Sequence, residues 1–154
     1  MVNRVTEDKI ISKFQRLDEY LANLAQLRKE IKSEKNFLED FHLYGLTERY
    51  LQLSCQIVLD VVDLLVIGEG FKKPADRSEL ISLLFNRNII SEKTASKLQG
   101  ISGFRNILVH EYGEIDRKKV YEVLQSQTKD LKEFKKEILK LIKDNQLLNI
   151  KERG

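Results

Sequence analysis

The chain has 154 residues, enough for one domain with one real core. Charged residues make up 33% and hydrophobic ones 42%; Trp is absent, aromatic content is 8% and Pro74 is the sole proline, which favours helices over a sheet sandwich. The net charge of +3 is compatible with a nucleic-acid partner without requiring one, and a lone Cys55 excludes an intrachain disulfide framework or a cysteine metal cluster.

Residues 6–33 read as a long amphipathic helix with Thr6 as N-cap. Ile10, Phe14, Leu17, Leu21, Leu24 and Ile31 form its apolar stripe, while Lys13, Arg16, Arg28, Lys29 and Glu30 fill the other side. The stretch 33–45 is less regular, with a short helix, or the start of the next one, around Phe37 to Leu43. Thr47 to Ile67 is the most hydrophobic helix. Its Leu51, Ile57, Val58, Val61, Val62, Leu64, Leu65 and Ile67 cover more than one face, which predicts contacts on two sides. Its most apolar run, Ile57 to Ile67, carries Asp60 and Asp63 and is too short and charged to span a bilayer. Residues 1–8 lack an apolar signal core, so the expectation is a soluble cytoplasmic protein with no membrane partner.

Gly68 and Gly70 end that helix and Pro74 prevents its continuation. A short helix follows from Ala75 to Phe85, with Leu80, Leu83 and Leu84 as its buried side, then a turn at 86–88. Ser91 caps the next helix, which runs to about Tyr112 and stops at Gly113. Asp116 caps a last long helix, 117–145, whose stripe includes Val120, Val123 or Leu124, Leu131, Phe134, Ile138 and Leu141. Lys132, Lys135, Lys136 and Lys140 form its solvated outer face. The expectation is all-α: an up-and-down helical bundle of four to five helices, one domain over 1–154 with a frayed tail at 146–154.

One segment looks like chemistry. Arg105 to Gly113 places a fixed cation, an amide, an imidazole and a phenol within eight residues and holds one of two histidines. At about 100° per residue, Tyr112 lies about 20° from Arg105, Asn106 about 100° to the other side and His110 at about 140°. Ile101, Phe104, Ile107 and Leu108 must face the core. Val109 sits at the centre of the polar face, which points to a second surface covering it. Gly103 costs the helix about 1 kcal/mol relative to alanine, a cost tolerable where a second helix or a ligand backbone approaches closely. His110, in the last turn, is favoured in its protonated form by the helix dipole and is suited to proton transfer, while Arg105 is suited to a phosphate. Together they suit metal-free cleavage of a phosphodiester. The chain has no clustered set of metal-ligand spacing, so neither metal nor cofactor is expected. Spacing alone favours the plainer reading, an arginine and a histidine that serve only the helix end with Tyr112 covering it.

The segment Arg105-Asn106-x-x-x-His110-x-Tyr112 resembles the Arg-x4-His-x-Tyr signature of HepT-like toxins in the HEPN superfamily. Chain length, the helical pattern and Glu48-Arg49-Tyr50-Leu51-Gln52-Leu53 resemble that family too, so the similarity spans most of 5–145. The resemblance implies a ribonuclease toxin acting as a homodimer, with motif helices facing each other so that Gly103 and Val109 meet the partner copy. Arg105 and His110 are then the catalytic pair on an RNA substrate, and Asn106 supports them. It also implies an antitoxin partner, a minimal nucleotidyltransferase (MntA-like) that transfers AMP to Tyr112. In many relatives the second helix carries a glutamate in its apolar run; here Leu53-Ser54-Cys55-Gln56-Ile57 has none before Asp60, so if that glutamate supports the site, either Gln56 or Asp60 takes its place or this member is less active. His42 does not match the motif and reads as an ordinary partly exposed residue, and Tyr44 and Tyr50 as packing residues. Two other readings remain: a non-catalytic nucleotide- or substrate-binding helper subunit of a minimal nucleotidyltransferase, and an oligomeric bundle whose motif is structural.

Overall fold

The structure, a computed structural model, describes residues 3–72, 76–110 and 116–153, with Ile107, Val109, His110 and residues 147–153 described by their backbone alone. Among the described residues there are six helices and no strand: α1 (Arg4–Glu30), α2 (Glu34–Glu39), α3 (Phe41–Gly68), α4 (Arg77–Asn86), α5 (Glu92–His110) and α6 (Arg117–Arg153). The protein is thus an all-α bundle of four long helices with two short ones.

Each helix start has a local cause. The N–H of Thr6 donates to Asn3 Oδ1 at 2.8 Å, so Asn3 caps α1 and Thr6 lies inside it. The Asp40 carboxylate accepts from the N–H groups of His42 and Leu43, which starts α3 at Phe41, ahead of the expected Thr47. A good cap outweighs the modest cost of Gly45 inside the helix, and Thr47 is fully buried. Ser91 Oγ accepts from the N–H of Thr94, and Asp116 Oδ1 from that of Lys119, as the sequence predicts for α5 and α6. Asp76 caps α4, which starts at Arg77, two residues past the expected Ala75. Gly70, at φ +77°, turns the chain out of α3 in a left-handed conformation glycine adopts without strain. Pro74 and Gly113 lie outside the described residues. At its far end α6 keeps helical backbone to Arg153, beyond the expected 145, for a length of about 55 Å at 1.5 Å per residue.

α3 is the centre of the bundle and packs against all five other helices. By length and composition it is apolar enough to cross a bilayer, yet more than half of its most apolar stretch is buried inside the bundle. The α1 stripe is buried as predicted, from Ile10 to Leu24, with Ile31 half-buried. Phe14 meets Phe134 of α6 edge-on at 6.2 Å. Three stripe positions differ. Ile81 takes the buried place expected for Leu83, Ile142 that of Leu141, and Ile67 is 59% exposed where α3 runs past its neighbours. Lys135 pairs with Asp18 at 2.6 Å across α6 and α1, so one of the lysines expected to be merely solvated ties the two helices together. The Arg28 guanidinium likewise reaches the Leu124 carbonyl and Thr128 Oγ1.

Candidate functional site

α5 lays its core side down as the helical wheel requires. Leu98, Ile101 and Phe104 are buried against the bundle, Leu108 is half-buried and packs on the same core, and Asn106 and Gly103 are exposed. Among the described residues nothing lies within 4 Å of where a Cβ on Gly103 would sit, so they give no packing reason for a glycine there. The backbone of α5 is described as far as His110; the side chains of Val109 and His110, and all of Tyr112, lie outside the described residues.

Arg105 is half-buried at the α5–α3 junction and is held in place. Its Nε donates to Gln56 Oε1 at 2.9 Å. The same amide donates through Nε2 to Asp60 Oδ1 at 2.8 Å, one helical turn further along α3. Asp60 in turn faces Lys13 of α1, with Nζ 3.5 Å from Oδ2. Four side chains from three helices therefore form one chain of contacts: Arg105, Gln56, Asp60, Lys13. A glutamine suits its middle position because it has one acceptor for the guanidinium and one donor for the carboxylate. A glutamate there would set two carboxylates against each other. Gln56 and Asp60 are the two alternatives the sequence offers in place of the missing glutamate, and the structure puts both in this run of contacts, Gln56 directly on the arginine.

The contact with Gln56 engages Nε of the guanidinium and not its two Nη nitrogens. Among the described residues its two Nη atoms have no hydrogen-bond partner. Those nitrogens form the fork that matches phosphate oxygens. Cys55, next to Gln56, is fully buried, and burial pushes its thiol up to about 12, opposed by the nearby Arg105 charge. It stays protonated at neutral pH and is not a nucleophile.

The residues set aside by sequence behave accordingly. His42 is exposed and lies against the Phe41 ring at 4.1 Å between centroids. Tyr44 sits beneath the Arg117 guanidinium at 3.8 Å, and Tyr50 packs on Tyr20 at 5.9 Å. Sequence reasoning missed the part played by Lys13, whose partner is 47 positions away; only its place on the same helical face as Lys9 and Arg16 marks it out.

Comparison with known proteins gives the arrangement a family. The mRNA nuclease HepT of Shewanella oneidensis is 28% identical over 98 residues, covering 64% of this chain and 74% of the relative. The tRNA nuclease HepT of Aphanizomenon flos-aquae is 30% identical over 112 residues, covering 73% and 75%. Among solved structures, a tri-AMPylated Shewanella oneidensis HEPN toxin in complex with MNT antitoxin superposes with a TM-score of 0.73 at 25% identity, over 84% of this chain and 95% of that one. The cytosolic protein of unknown function YutE from Bacillus subtilis shares the fold at a TM-score of 0.75, with 17% identity over 90% and 92% of the two chains. The family model described as ribonuclease HepT-like matches residues 17–138, a span that takes in α3, the Arg105–Gln56–Asp60 contacts and the whole motif, and the chain belongs to that family.

Proposed function

We propose that this protein is the toxin of a toxin–antitoxin pair and acts as a metal-independent endoribonuclease. The observation that supports it most is the tethered guanidinium: Gln56 fixes Arg105 through Nε and leaves its paired nitrogens for a phosphodiester. In this reading the RNA 2′-oxygen attacks phosphorus and the 5′-oxygen leaves. His110 moves the proton from the first to the second, and Arg105 stabilises the charge that builds on the phosphoryl oxygens. The products are a 2′,3′-cyclic phosphate and a 5′-hydroxyl. Asn106, exposed beside Arg105, supports substrate binding.

Two copies act together, with Gly103 and Val109 at the contact between motif helices. The partner that silences the toxin is a minimal nucleotidyltransferase. It transfers AMP from ATP to the Tyr112 phenol with release of pyrophosphate, and the added anion occupies Arg105 in place of RNA. The relatives support this reading: two are named nucleases, and one solved toxin is AMPylated and bound to an MNT antitoxin.

The test is incubation of the protein and its His110→Ala variant with RNA in EDTA, followed by end-group analysis. Cyclic-phosphate ends from the native chain alone are expected. If neither protein cuts, while both remain folded and the native chain is free of AMP, the nuclease reading fails and the substrate-binding helper subunit replaces it.

A further inference from the structure

Beside the chain of contacts that holds Arg105, α1 and α3 enclose an open groove of about 430 Å³. Its α1 wall carries Lys9, Lys13, Arg16 and Tyr20, at spacings of four, three and four, so all four share one helical face over about 16 Å. Its α3 wall carries Gln56 and Asp60. Among the described residues that line it, three cations face a single carboxylate. Lys9 and Arg16 are exposed, and Lys13 and Tyr20 are half-buried.

We propose that this groove is a subsite for single-stranded RNA flanking the scissile phosphate. The inference rests on the nuclease reading above for its choice of ligand. Three observations carry it. The charge is of the sign and linear arrangement that tracks a nucleic-acid backbone. Tyr20 ends the cationic row and lines the groove, its ring braced against Tyr50, and aromatic rings at the end of such a row are where bases stack. Gln56 forms part of the groove wall and is also the amide that holds Arg105, so a strand with one phosphate on Arg105 continues directly into the groove. A second copy of the chain fits less well, because the buried centres of protein interfaces are depleted of lysine. A phosphate arriving at Lys13 competes with Asp60 for a pair that is only 3.5 Å apart and partly exposed, so it displaces little.

The experiment measures binding, by fluorescence anisotropy across a salt series, of a 2′-O-methyl single strand of about 16 nucleotides, which lacks the nucleophile. Lys9→Gln/Arg16→Gln is compared with the native chain and with Lys132→Gln/Lys136→Gln on the α1–α6 face. The groove variant is expected to bind about tenfold more weakly, and its log–log salt slope to fall by about 0.7 for each phosphate left without its cation. The α6 variant is expected to keep both. Equal loss in the two variants, or an unchanged slope in the groove variant, overturns the proposal. So does a change of oligomeric state in the groove variant alone, which reassigns the groove to an interface between copies. If the native chain cuts no RNA yet the groove variant loses affinity and slope, the nuclease reading falls and the RNA groove stands. Cleavage with undiminished binding in the groove variant gives the reverse.

Discussion

If Arg105 serves the reaction proposed above, it is worth more than a charge, because the Gln56 contact at Nε restrains its guanidinium. Arg105→Ala is expected to lower RNA cleavage by about 100-fold or more, the usual cost of losing a charge-stabilising donor. Arg105→Lys is expected to rescue little, since one ammonium cannot bond Gln56 and present a fork to phosphate at once. Gln56→Leu is expected to cost about tenfold in the native background and nothing further in Arg105→Ala, and additive losses in that double-mutant cycle would show that Gln56 acts independently of the arginine. Cys55 gives a prediction in pH. Its thiol is raised from 9.0 to about 12 by burial, so above pH 9 the unfolded chain loses this proton while the folded chain keeps it. Stability from this group is therefore whole below pH 9 and falls by up to about 1.4 kcal/mol per pH unit between 9 and 12. Denaturant titrations should show a flatter alkaline limb in Cys55→Val than in the native chain. The motif was legible in the sequence as a short polar run, whereas Gln56 or Asp60 as its support followed only from the resemblance to HepT-like toxins, many of which carry a glutamate in the second helix. The sequence could not show Lys13 reaching Asp60, since that contact depends on how α1 crosses α3.

At the scale of elements, the legible parts were those set by local chemistry. The stripe from Ile10 to Leu24 and the caps at Ser91 and Asp116 follow from spacing and side-chain type within a few residues. The start of α3 was harder because two local signals conflict. Gly45 argues against helix, while Asp40 offers two N–H groups an acceptor, and tertiary burial of Leu43 and Thr47 sides with the cap. This conflict is measurable. Asp40→Ala is expected to lower stability by about 1 kcal/mol. Gly45→Ala, at a helical position where a Cβ meets nothing within 4 Å, is expected to raise it by a similar amount. A destabilised Gly45→Ala would mean that the first turn of α3 needs the glycine for something other than helix formation. The places of Ile67, Ile81 and Ile142 were illegible for another reason: periodicity marks an apolar face, but its edges are settled by where neighbouring helices end.

For the molecule as a whole, the open question raised by the fold is why α5 keeps Gly103. Among the described residues of one chain this residue is exposed and helical with nothing within 4 Å of its Cβ position, and in those conditions alanine stabilises a helix by about 1 kcal/mol. Gly45 is likewise helical with open space at its Cβ position, so the two substitutions should act alike if the protein functions alone. If two motif helices meet across a cleft, they should diverge. Gly45→Ala then raises the melting temperature and leaves self-association unchanged. Gly103→Ala strengthens the isolated helix but adds a methyl group where the partner backbone comes close, and Gly103→Leu adds a full side chain. Light scattering over a dilution series is expected to show weakened dimers in Gly103→Ala and mostly monomers in Gly103→Leu, with helical content by circular dichroism preserved in both. Cleavage should fall with the dimer fraction and recover at high protein concentration, because the variants retain Arg105 and its Gln56 tether. A Gly103→Leu protein that stays dimeric and cuts RNA at the native rate would place the contact between copies elsewhere on the bundle.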